Sequence, residues 1–152
     1  MATAPFTLQP VLSYKENLVD LFERQLAQLT SERRRLQGII DGLYAQRCEV
    51  HMLLKREQQG DLHIERIQQH RLYADWLQER IDEQRRRAAE LDVRIAAKRD
   101  ELIATMQDKE MLARLKEKAE MRFFAHVEGL EEDLGDEIAL SRYMRASTKE
   151  SD

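Results

Sequence analysis

The sequence predicts an all-α chain, a long antiparallel two-helix coiled-coil hairpin with a C-terminal extension. Three observations carry this. Apolar residues recur every seven positions in two long segments. A glycine-centred break separates those segments. No run of β-branched or aromatic residues alternates with the period of a strand. Charged residues make up 36% and aromatics 6% of the chain, a mixture suited to long helices and poor for a thick core.

Residues 1–9 read as a short leader. Pro10 suits the first turn of a helix, where its missing N–H costs nothing. The only prolines are Pro5 and Pro10, so none blocks a helix from Val11 onward. The first repeat has one line of Leu8, Lys15, Phe22, Leu29, Leu36, Leu43 and Val50. A second line is Val11, Leu18, Gln25, Glu32, Ile39, Gln46 and Leu53. Leu12, Val19, Leu26, Ile40 and Leu54 follow the second line by one position and widen the stripe.

The pattern stops at Gln58-Gln59-Gly60-Asp61. Gly60 suits a left-handed helix end, and Asp61 is expected to cap the next helix. A turn near 58–61 favours antiparallel neighbours. The second repeat then runs through Ile67, Ala74, Ile81, Ala88, Ile95 and Leu102. Leu77, Leu91 and Leu112 share its other line with polar His70, Gln84, Lys98 and Thr105. A change of phase is expected near residues 103–112, with Leu112, Leu115 and Ala119 continuing in a new frame. The hairpin is therefore assigned to 10–125. Residues 126–152 form an acidic tail with eight Asp/Glu against three Lys/Arg. Gly129 and Gly135 weaken helix there, so the tail is expected to be partly helical or disordered.

Folding at residues 59–60 places residue i near residue 119 − i. Each arm has about 50 residues, or roughly 75 Å at ~1.5 Å per residue. Both chain ends then share the open end, and Arg33-Arg34-Arg35 lies level with Arg85-Arg86-Arg87 as an arginine belt. One narrow seam barely offsets the cost of ordering, so marginal stability in isolation is expected.

The single Cys48 excludes an internal disulfide and fits a reducing compartment. There is no secretory signal pattern and no apolar run of membrane-spanning length. A cytoplasmic protein is expected. The net charge of −4 argues against a general nucleic-acid binder. His51, His63, His70 and His126 do not form a metal-ligand set. No phosphate loop, nucleophile elbow or carboxylate pair in a pocket appears, so the chain is read as a non-enzyme without a cofactor. Gly38 and Gly42, although spaced like a membrane dimer motif, lie among charged residues and are read as softening the first helix. Tyr73 and Trp76 pack or bind; sequence alone leaves both open. Met106, Met111 and Met121 serve equally as core filling or as an adaptable surface.

Three short motifs carry a resemblance. Phe6-Thr7-Leu8-Gln9-Pro10-Val11-Leu12, with Lys15 soon after, resembles the opening F-x-L-Q-x-V-L of the flagellar type III export protein FliJ family. Lys109 to Lys118 resembles its K-x-x-L-x-x-L-K-E-K stretch. Asp136-Glu137-Ile138-Ala139 with Arg142 resembles its D-E-I-A segment. The sequence departs from the pattern at Glu131 to Gly135, where a glycine precedes the third motif. The resemblance covers nearly the whole chain.

It implies a cytoplasmic hairpin similar to the central stalk of rotary ATPases, peripheral at the membrane through its partners only. Family members insert the open end into the ring of the export ATPase FliI, contact the export gate protein FlhA, and in some cases bind export chaperones. The virulence-system relative YscO shares the architecture. Carried onto this sequence, the ATPase-facing end spans Phe6 to Leu26 with residues 95–122. Its expected contacts are Phe6, Leu8, Val11, Leu12, Lys15, Leu112, Leu115, Lys116 and Lys118. Ile39, Leu43, Tyr73 and Leu77 are expected to meet the gate, with Ile40 and Tyr44 adding surface. The arginine belt reads as a solvated face or as a contact for acidic loops of a ring. The competing readings are a generic coiled-coil tether, an export-chaperone escort, and an RNA-binding arm that the acidic balance disfavours.

Overall fold

A computed structural model describes residues 4–149. It contains two helices packed against each other: α1, Gln9–Glu57, and α2, Ile64–Lys149. Among the described residues there is no strand. Contacts divide the chain into two compact units, Val19–Ala104 and Met1–Leu18 with Thr105–Asp152.

Within Val19–Ala104 the chain forms an antiparallel hairpin. Backbone bonds from Gln58 N to Leu54 O and from Gln59 N to Arg56 O, 3.2 and 3.1 Å, close the last turn of α1. Gly60 then takes φ 106°, a left-handed conformation that a side chain strains to adopt. Lys55 and Arg56 lie in the last turn of α1 and Glu65 in the first turn of α2, each matching its helix dipole. The connection is longer than expected. It runs through residues 58–63, so Asp61 stands three residues before α2 and makes no hydrogen bond among the described residues.

The seam corrects one sequence line. Leu12, Val19 and Ile40 are 3–4% exposed, whereas Val11, Ile39 and Leu53 are 42–48% exposed. The first line pairs with the residues one position after the second, giving alternate spacings of three and four. That line has five apolar residues out of seven, against four in its competitor. Its two exceptions, Arg33 and Arg47, are half-buried and find partners on α2.

The register also differs from 119 − i. Leu36 packs with Ala88 and Val50 with Ala74, so residue i stands opposite residue 124 − i. The heptad frames enforce this choice. The expected register would set Leu36 against Glu83 and Leu43 against Trp76; the observed one sets them against Ala88 and Ile81. Leu77 and Ile81 are fully buried, and Gln84 is buried between them and Ala88. The arginine belt is lost with the old register. Arg33 meets Asp92, Arg85 reaches the Tyr44 hydroxyl, and Arg87 pairs with Glu83 on its own helix.

In the other unit, the first turns of α1 pack with the second half of α2. Gln9 N donates to Phe6 O at 3.1 Å and Leu12 N to Leu8 O at 3.0 Å, with Pro10 in the first turn as expected. The expected change of phase does not occur. Thr105 is buried, while Lys109, Leu112, Lys116, Ala119 and Phe123 are half-buried, all on the two earlier lines. Lysine stems are long enough to cover apolar surface while their charges stay in water, which hides the frame in sequence. Nor does the helix break at Gly129 or Gly135; α2 continues to Lys149. One helical glycine costs only about 1 kcal/mol against alanine, and good helix formers flank both. Residues 130–149 are exposed throughout. Residues 150–152 of the expected tail and 1–3 of the leader lie outside the described residues.

Candidate partner-binding surfaces

The first group of candidates lies wholly in the unit holding the N-terminal turns. Lys15 Nζ donates to Asp108 Oδ2 at 2.9 Å, tying α1 to α2. Counting along both helices from that pair sets Leu12 level with Met111 and Leu112, and Leu8 level with Leu115 and Lys116. Two motifs separated by about a hundred residues are thus brought together. Leu8, Val11 and Leu115 are 41%, 43% and 46% exposed, a set of accessible apolar side chains. Phe6, Leu112 and Lys116 are half-buried, and Lys118 is exposed. Leu12 is a correction: at 3% exposure its side chain fills the seam and has no surface for a partner.

Tyr14 and Phe124 in the same unit, neither among the expected contacts, are 59% and 54% exposed. Phe124 meets Phe123 edge to face, with centroids 5.7 Å apart. Tyr14 lies outside both heptad lines, which was the available signal that it faces solvent. Met106, Met111 and Met121 are exposed, so they are surface rather than core filling.

The second group lies in the hairpin unit and does not form one patch. Leu43 and Leu77 do lie together, because Leu43 packs on the cluster of Val50, Ala74 and Leu77. That packing leaves Leu77 with 0% exposure, so it is structural and not a contact residue. Ile40, at 4%, is likewise seam rather than added surface. Ile39 and Tyr73 remain exposed. The register sets Ile39 opposite Arg85, twelve residues from Tyr73, or about 18 Å along α2. Tyr73 stacks on Trp76, centroids 5.9 Å apart and planes 13° from parallel. Trp76 is 53% and Leu72 70% exposed beside it.

Among the described residues, no three His, Cys, Asp or Glu side chains gather as a metal site. Cys48 is exposed. Among the described residues no helix is long and apolar enough to cross a membrane. Both groups present exposed apolar and charged side chains on helix faces, the chemistry of protein contacts.

The model of one family, the flagellar FliJ protein, matches residues 5–148. Neither a curated protein nor a solved structure matches the chain. The family match spans both units and contains all three short motifs, so the chain belongs to the flagellar FliJ family, a component of flagellar type III export.

Proposed function

We propose that the chain is a non-catalytic, stalk-like accessory of the export ATPase, which binds and stimulates the FliI ring and links it to the export gate protein FlhA. One observation carries the ATPase contact. The N-terminal motif and the lysine-rich motif of α2 share one surface, on which Leu8, Val11 and Leu115 stay exposed beside Lys116 and Lys118. Apolar anchors rimmed by cations suit a ring whose inner loops carry carboxylates. Leu12 and Leu112 support this surface from the seam, and Lys15 sets its register through Asp108. Ile39 and Tyr73 are the exposed members of the gate group, and Leu43 and Leu77 hold the helices together in the same hairpin.

The test is the rate of ATP hydrolysis by purified ring ATPase as the chain is added. A saturable rise is expected, and Val11→Asp should abolish it while leaving helicity unchanged. No rise at saturating chain, or a rise that Val11→Asp leaves intact, defeats the proposal.

A further inference from the structure

Two unpartnered features of the molecule complement each other. One is a groove of about 370 Å³ along the hairpin unit. Leu36, Ile39 and Leu91 give it apolar surface beside the buried amide of Gln84, and arginines stand on both sides: Arg35 from α1, Arg87 and Arg94 from α2. Arg35 and Arg94 make no ion pair among the described residues, and only Arg87 is tied, to Glu83 at 3.2 Å. Glu32 and Glu90 also line the groove, leaving three cations against two anions.

The other feature is the end of α2. Between Glu128 and Glu137 stand six carboxylates and no Lys or Arg. Leu130, Leu134 and Ile138 form a stripe at spacings of four, exposed by 50%, 58% and 52%. Helical geometry sets Glu131 on one edge of that stripe and Glu137 on the other. An apolar stripe with acidic edges fits a groove whose leucine and isoleucine surface is flanked by three arginines and two glutamates. Two such tails repel each other, so tail-to-tail pairing is disfavoured.

We propose that the acidic C-terminal helix of one copy docks in the arginine-walled groove of a second copy. Leu130, Leu134 and Ile138 lie on Leu36, Ile39 and Leu91, and Glu131 and Glu137 meet the arginines. This contact is separate from the ATPase surface and does not rest on it; it covers Ile39, so self-association and the proposed gate contact compete for that residue.

Sedimentation of the full chain over a concentration series tests it. Association that rises with concentration and falls with added salt is expected. Leu134→Asp and Arg94→Glu should each weaken it by roughly tenfold or more. Both sites are exposed, so circular dichroism should match the parent; if either variant loses helix, Ile138→Ser and Arg35→Glu replace them. Mixing the two variants should restore a complex, since one keeps its groove and the other its tail. A parent that stays monomeric, a variant that associates like the parent, or a mixture that stays monomeric would each overturn the proposal.

Discussion

Arg33 Nε donates to Asp92 Oδ1 at 2.9 Å across the hairpin, from a seam line that leucine, valine or isoleucine fills everywhere but here and at Arg47. The same guanidinium reaches Gln37 Oε1 at 2.9 Å. Arg47, two heptads along the same line, donates to Gln78 and lies over the Tyr44 ring, while its Nε is buried without a partner. Polar seam residues thus meet polar partners only in the observed register. Asp92 is 57% exposed, so the ion pair itself is worth little. Arg33→Leu should therefore stabilise the hairpin by about 1 kcal/mol through added seam burial. Asp92→Ala should change stability by under about 0.5 kcal/mol. Urea denaturation of both variants checks the pair.

Leu77 and Ile39 separate core from surface. Leu77 is fully buried against Val50 and Ala74, whereas Ile39 is 48% exposed. Leu77→Ala should cost about 2–5 kcal/mol. Ile39→Ala should cost under about 1 kcal/mol, since half of its side chain already meets water. Equal losses in chemical denaturation would contradict the observed seam.

The glycines divide by backbone conformation rather than by crowding. An added Cβ meets nothing within 4 Å at Gly60, Gly129 or Gly135. Gly60 alone has positive φ, 106°. Gly60→Ala should therefore destabilise the hairpin by about 1 kcal/mol. Gly129→Ala and Gly135→Ala should each favour helix by about 1 kcal/mol. Ellipticity at the helix band should rise for the tail variants, and thermal midpoint should fall for Gly60→Ala.

These contrasts mark how far the sequence could be read. Two seven-residue ladders around Gly60 were legible because their apolar members recur over many turns. The choice between Val11's line and Leu12's line was not, because Arg33 and Arg47 break the better line and only their partners on α2 explain them. Register is hidden for a related reason: the connection extends to residue 63, and the facing seams rather than the turn fix the pairing. The terminal motifs carried the family resemblance, but not that Leu12 turns inward, and the apolar stripe did not show that Leu77 does. Lys109 and Lys116 concealed a seam that runs on without a slip, since a lysine looks polar in sequence while its stem packs.

Lys15 offers the sharpest test of how the proposed ATPase surface is held. Its ammonium is 2.9 Å from Asp108, and the two side chains are 27% and 50% exposed. A register role predicts that charge reversal at one site harms the surface and reversal at both repairs it. Lys15→Asp should reduce stimulation of the ATPase, because two carboxylates then face each other where Leu8 and Leu115 must stay level. Combining Lys15→Asp with Asp108→Lys should restore most of the stimulation. If Lys15 instead touched the ring directly, the double variant would remain as defective as the single one. Leu115→Asp is the companion measurement: it removes an exposed apolar contact without touching the pair, so stimulation should fall with thermal midpoint unchanged. Loss in Leu115→Asp together with recovery in the double variant assigns contact to the leucine and alignment to the lysine.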